Sequence, residues 1–274
     1  MEFIIGEKFI EECEFKYFPP GLKDFNPFKT NLPSREREGT FTLYTHTHIA
    51  PQLFNEIKNY KSNFILVTHN SDHSISQDLF NTKPPNIIKW YAQNVNLSID
   101  NLFSIPIGLE NTRWFAEIEK KNKMIDKVKE PKNYLNLMYM NHNVGTNRHE
   151  RLEPYQLFGG SPWVSSTQRI NGQNFNDYIH NVYNHKFVLC PNGNGVDTHR
   201  LWETLYLHTI PIVKNSINIK FYKDLPILIV NNWGDINKEM LENQYEEITN
   251  KINNNYYNLD KLKIDYWIKT IKNV

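Results

Sequence analysis

What most constrains this chain is a rhythm of short apolar runs set between polar segments of helical spacing. The runs are "FTLYTH" (41–46), "NFILVTHN" (63–70), "LFSIPIG" (102–108), "LNLMYMN" (135–141), "PWVSS" (162–166), "KFVLCP" (186–191), "IPIVK" (210–214) and "LPILIVN" (225–231). They are too short for helices and rich in aromatic and β-branched residues, which predicts buried strands. Between them, "PQLFNEIKNYK" (51–61), "NFNDYIHNVYNH" (174–185) and "HRLWETLYLH" (199–208) carry apolar residues at helical spacing. So does "LDKLKIDYWIKTIKN" after the Asn-rich break "INNNYYN" (252–258). Alternation of this kind predicts an α/β fold with mostly parallel sheets.

At 274 residues the chain exceeds the usual single domain of roughly 100–200, so two domains are expected. The most polar interval, "EIEKKNKMIDKVKEPKN" (117–133), ends on a proline. It reads as a linker, or in its first half as a charged amphipathic helix. The division predicted from it is 1–126 and 127–274.

Composition removes several classes of function. With 31 Lys and Arg against 30 Asp and Glu, the formal charge of +1 supplies no general attraction to nucleic acid. Cys13 and Cys190 are the two cysteines; they stand far apart, without metal-type spacing, and suit a reducing compartment. The start, "MEFIIGEKFIEECEF", is acidic where a secretory leader is basic, and no apolar run approaches the length of a membrane span. A cytoplasmic protein without an integral membrane segment is the expectation.

Chemistry concentrates in "KFVLCPNGNGVDTHRLWETLYLHTIPIV" (186–213). It reads as strand, glycine turn, helix and strand, with the turn at the carboxyl end of the first strand. Gly193 and Gly195 permit close backbone approach, and Asp197 can cap the helix. Amides from Gly195 to Thr198 would then face an anion at the helix start. Arg200 and Glu203, three residues apart, share a helical face. The guanidinium suits a diphosphate and the carboxylate two ribose hydroxyls; alternatively, the two form an ordinary surface ion pair. The segment lacks the third glycine of a dinucleotide site and the Gly-Lys-Ser/Thr of a P-loop, which counts against a dehydrogenase and a P-loop ATPase.

The segment resembles the donor site of exostosin-like glycosyltransferases, in which a Cys-Pro, a glycine-rich turn and an Arg-Leu-Trp-Glu helix precede a Pro-containing strand. Weaker similarity runs through "FSIPIGLENTRWF" (103–115), "TNRHERLEPYQLF" (146–158) and "DLPILIVNNWGDI" (224–236). The resemblance implies a GT-B architecture, two Rossmann-like domains facing a cleft with the nucleotide-sugar donor on the C-terminal one, and an inverting transfer. Asn192 and Asn194 stand where relatives often carry Arg and Asp, and His208 where a glycine is usual, which leaves the donor sugar open.

Other candidates surround this segment. Arg148 and Arg151 in "MYMNHNVGTNRHER" (138–151) could reach the diphosphate, or Arg151 could be a solvated partner of Glu150 or Glu153. In "VTHNSDHSIS" (67–76), at a strand's carboxyl edge, Asp72 is the candidate base, oriented or replaced by His69 or His73; an Asx turn is the plainer reading. The "HTH" tripeptide puts His46 and His48 at another strand end. His48, Arg113 and Trp114 are acceptor-side candidates, although Trp114, like Trp202, equally suits a core. With no Asp-X-Asp motif, no obligatory metal or other cofactor is expected. The function predicted is transfer of a sugar from a nucleotide donor, UDP-linked (a xylose, hexose or hexuronate), to a glycan hydroxyl. The alternative is a non-catalytic module that binds nucleotide or glycan.

Overall fold

In a computed structural model of the chain, describing residues 2–20, 28–112, 118–167 and 174–273 (the side chains of 118 and 119 excepted), the apolar runs form two five-stranded sheets. Every strand pair in both is parallel. The fold is therefore α/β, with one sheet in each of two compact units.

In the first unit β1 (Phe15–Lys16), β2 (Thr40–His46), β3 (Asn63–His69), β4 (Ile87–Ala92) and β5 (Leu102–Ser104) lie side by side in chain order. After its first residue β3 is buried throughout, as a strand covered on both faces must be, so it shows an apolar run without alternation. Helices α1 (Gly6–Glu12), α2 (Ala50–Ile57) and α3 (Gln77–Asn81) belong to this unit. α2 has Pro51 in its first turn, where no helical hydrogen bond is lost. It buries Leu53, Phe54 and Ile57, and Phe54 meets Trp90 edge-on at 5.5 Å. The Trp90 indole donates to Thr68 Oγ1 at 2.9 Å, so the largest core side chain leaves no unmet polar group.

The second unit runs α4 (Ile118–Lys127), β6 (Asn136–Met140), α5 (Arg148–Phe158), β7 (Val164–Ser166), α6 (Phe175–Tyr183), β8 (His185–Leu189), α7 (His199–Tyr206), β9 (Ile210–Lys214), α8 (Ile217–Lys220), β10 (Leu228–Val230) and α9 (Lys238–Asn253). Its strand order is β10-β9-β8-β6-β7. Met138, Phe187, Leu189, Ile212 and Trp233, all buried, fill the core beside this sheet. Trp202 is wholly buried and packs edge-on against Tyr222, the core role allowed for it.

The domain boundaries differ from expectation. The first unit ends at Asn111 and takes back Gly195–Asp197 and Lys263–Val274, including α10 (Ile264–Lys272). The α10 helix returns because its apolar side has a seat there: Tyr91 donates to the Thr270 carbonyl, Ile264 N–H to the Glu2 carbonyl, and Lys272 pairs with Glu12. The polar interval contains α4 rather than a bare linker.

Candidate functional site

Strand order decides where the second unit can take a ligand. Because β6 lies between β7 and β8, the winding direction reverses there, and open α/β sheets bind ligands beyond the carboxyl ends of strands at such a reversal. The residues that follow β6 are Asn141 and His142, and those that follow β8 are Cys190 to Asn194. The glycine turn thus lies where the sequence put it, at the end of a central strand.

Arg151 holds this region together. It is 7% exposed; its Nε donates to the Asn192 carbonyl at 2.7 Å and its Nη1 to the Asn143 carbonyl at 3.1 Å. Beside it, Asn147 Nδ2 donates to the Gly193 carbonyl at 2.7 Å. Arg151 is therefore not a solvated arginine, and Glu150 and Glu153 face Lys214 at 4.0 and 3.8 Å. What the structure shows of it is a brace between the loops after β6 and β8. Arg148 and Asn194 are exposed.

The proposed surface ion pair between Arg200 and Glu203 does not form among the described residues. Glu203 Oε2 accepts a hydrogen bond from the Tyr178 hydroxyl at 2.6 Å. Burial, and then the Glu203 charge, push the Tyr178 pKa well above its ordinary value, so the phenol stays a donor. Arg200 Nε is buried and has no hydrogen-bond partner, a condition that costs a folded protein free energy unless a ligand relieves it. Thr204 Oγ1 donates to the Arg200 carbonyl at 2.7 Å and steadies the turn that carries it. The helix cap is Thr198, in extended conformation and without a side-chain capping bond.

Cys190 follows β8, wholly enclosed, and burial pushes its thiol up to about 12, which makes it an inert packing group. Asp197 also departs from the simple capping picture. Its N–H donates to Asn94 Oδ1 at 2.9 Å and its Oδ2 accepts from Ile107 N–H at 2.8 Å, within the first unit. Gly195 is required by the same contact, since a Cβ there would sit 2.7 Å from Asn94 Nδ2.

Sequence reasoning missed His142. It is 4% exposed, with Nε2 3.0 Å from the Arg151 carbonyl oxygen and Nδ1 buried without a partner. Burial lowers its pKa to about 4; the bond to the Arg151 carbonyl opposes the shift, while Arg200 and Arg151 add to it. A signal existed: the residue follows a buried strand, the same rule that drew attention to His46 and His69.

In the first unit the carboxyl edge carries the histidines. His46 closes β2 and His48 is the middle residue of the 3-10 turn Thr47–Ile49; their rings stack at 5.5 Å, and His73 lies 6.1 Å from His48. His69 is interior, with Nδ1 2.9 Å from Asn70 Oδ1 and Nε2 3.0 Å from the Pro106 carbonyl oxygen. Asp72 and His73 are the exposed members of this turn. Arg113 and Trp114 lie outside the described residues. Among the described residues no group of three or more His, Cys, Asp or Glu is arranged to hold a metal ion, and no helix is long and apolar enough to cross a membrane.

No family model and no curated protein matches the sequence. Among solved structures, the chain is similar to an alpha,alpha-trehalose-phosphate synthase (UDP-forming) from Burkholderia vietnamiensis at 11% identity, over 85% of this chain and 71% of that one, with a TM-score of 0.44. It is likewise similar to an alpha1,3-fucosyltransferase at 16% identity, over 81% and 68%, with a TM-score of 0.42.

Proposed function

We propose that the chain is an inverting GT-B-type glycosyltransferase that moves one sugar from a nucleoside-diphosphate donor, UDP-linked, to a hydroxyl of a glycan. The observation that carries this reading is the buried, unpartnered Nε of Arg200 in the first turn of α7, on the unit whose strand order reverses. An arginine with a buried, unpartnered nitrogen beside a carboxylate already held by a tyrosine is a site waiting for an anion.

In the proposed reaction the acceptor hydroxyl oxygen forms a bond to the anomeric carbon while the bond from that carbon to the diphosphate oxygen breaks. The hydroxyl proton passes to Asp72, and the electron pair of the broken bond leaves on the diphosphate. Arg200 and the amino end of α7 stabilise that growing charge, worth most where water is excluded. Glu203, held by Tyr178, accepts from the ribose. The arginine and the helix start serve here without an obligatory metal.

The test is a thermal-shift and calorimetric screen of UDP-, GDP- and ADP-sugars, because a ligand specific to the native state raises apparent stability by mass action. Asp72→Asn is expected to keep donor binding and to lose turnover by about 10²–10⁴. Absence of any nucleotide-sugar binding, or tighter binding of NADH, overturns the reading. Donor binding without turnover in the native chain indicates the non-catalytic module.

A further inference from the structure

At the amino ends of the second unit's strands lies a hollow of about 350 Å³ whose lining includes Tyr134, Asn136, Trp163, Lys186, Lys238 and Glu242. That size is at the lower end for a small-molecule site. Asn136 opens β6, Trp163 directly precedes β7, Lys186 stands second in β8, and Lys238 and Glu242 come from the first turns of α9. The hollow is therefore at the opposite end of the sheet from the loops after β6 and β8. Its aromatic walls are fixed from behind. Asn136 Nδ2 donates to the Pro162 carbonyl at 3.1 Å while its Oδ1 accepts from Leu137 N–H at 2.9 Å, and Trp163 packs edge-on against Phe158 at 5.8 Å. The Tyr134 and Tyr245 hydroxyls bond at 2.5 Å, with the two rings nearly perpendicular. Tyr134 nonetheless stays 43% exposed, so its ring is held rigid without being buried.

Lys186 supplies a second observation. It is half-buried, and its ammonium lies 4.4 Å from the Tyr245 ring centre and 6.0 Å from that of Tyr134; among the described residues it forms no ion pair and no hydrogen bond. Ring faces offset only part of the hydration that such an ammonium gives up. Beside it Glu242 pairs with Lys238 at 3.7 Å, both of them exposed. An ion pair of that kind is worth little to the fold and is readily shared with a ligand. Rigid rings, ammonium donors and a carboxylate acceptor together select the occupant. An inorganic anion would leave the rings unused and face the Glu242 charge. A hydrocarbon chain would cover the rings and strip water from Lys186. A pyranose offers an apolar C–H side to an aromatic face, and hydroxyls that accept from Lys186 and donate to Glu242. We propose that this hollow binds one sugar ring of a glycan, apart from the donor site, with Tyr134 and Trp163 as its aromatic walls and Lys186 as a donor to a hydroxyl. In naming that glycan as the acceptor, the inference rests on the sugar-transfer reading above. Holding a long acceptor here as well as at its reacting end raises its effective concentration, so oligosaccharides gain where single sugars do not.

The experiment measures saturation transfer by NMR from the native chain to oligosaccharides of xylose, glucose, galactose and N-acetylglucosamine, with dodecanoate and polyglutamate as rival ligands. At least one oligosaccharide is expected to bind, and Tyr134→Ala and Lys186→Met should each weaken it by about tenfold, the loss typical of a central contact. Lys186→Gln, which keeps a donor, should restore part of that affinity, and the two Lys186 variants keep the test open should Tyr134→Ala fold poorly. Far-UV circular dichroism and melting curves establish that the compared variants are folded. Nucleotide-sugar binding, followed by calorimetry, should be unchanged in all of them. Absence of saccharide binding, binding that survives both Tyr134→Ala and Lys186→Met, or binding of dodecanoate or polyglutamate alone overturns the inference and leaves the donor site standing. Saccharide binding that the variants abolish, in a native chain that binds no nucleotide sugar, upholds this site and overturns the sugar-transfer reading instead.

Discussion

The two parallel sheets contain the same number of strands and are wound differently. The first follows chain order from β1 to β5, whereas the second reverses at β6. Their carboxyl edges differ accordingly. After β3 the exposed turn carries Asp72 and His73 beside stacked imidazoles, and after β6 and β8 the polar groups are enclosed and mostly tied to backbone. The lesson is that a reversal creates an interior polar site that must be braced. A monotonic sheet can leave its chemistry in a surface turn, where each side chain is dispensable to the fold.

The largest expected effect would break that contrast if it failed to appear. Arg151→Ala removes the donors to the Asn192 and Asn143 carbonyls and should cost about 3 kcal/mol, the range for losing charged hydrogen bonds from a buried site. Asp72→Asn and His73→Ala, at exposed positions, should change stability by no more than about 0.5 kcal/mol. Urea titration of the three variants checks this. Equal losses would mean that the two edges are built alike.

Acid should strike the second unit's site next. His142 is held down to about 4 in the folded chain and titrates near 6.5 when unfolded. Below about pH 6.5 the unfolded state therefore takes up a proton that the native state refuses. Stability is full above that pH and falls as pH drops toward 4, by up to about 3 kcal/mol. Burial lowers His185 too, so it adds loss of the same sign. Urea unfolding at pH 7.5, 5.5 and 4.5 should show the decline, and His142→Asn should flatten it. A variant with the native slope would place the acid sensitivity elsewhere.

Much of this architecture was legible because buried parallel strands leave dense apolar runs: β2, β3, β6, β8 and β9 fall within a residue or two of the runs that predicted them. β4 was passed over because Lys89 interrupts "IIKWYA" after a Pro-Pro pair, although its branched and aromatic residues carry the same signal. α1 was hidden in a start read only for what it is not, and α9, a long exposed helix burying Leu241 and Ile248, has too narrow an apolar stripe to stand out. In the site, the glycine turn and the Arg200–Glu203 spacing were readable because helix geometry is local. The brace role of Arg151 and the orphan nitrogen of His142 were not, since both depend on how loops after two non-consecutive strands meet.

The smallest effect tests the opposite end of the second unit. α7 is followed by Leu207 as its cap and then by His208, whose φ of +53° is left-handed. A side chain there costs about 1–2 kcal/mol that a glycine would not. His208→Gly relieves the strain but frees the unfolded chain, which offsets roughly 0.5–1 kcal/mol of the gain; a net stabilisation of about 0.5 kcal/mol is expected. The Lys132 Nζ bond to the His208 carbonyl, 2.6 Å, survives because it uses backbone. His208→Ala keeps the strained φ without the imidazole, so the glycine variant should melt higher than the alanine variant. Position 208 precedes β9 and so lies at the amino ends of the strands, remote from the residues that follow β6 and β8. Stability should therefore rise with nucleotide affinity unchanged, and a shift in that affinity would show that the two ends of the sheet are coupled.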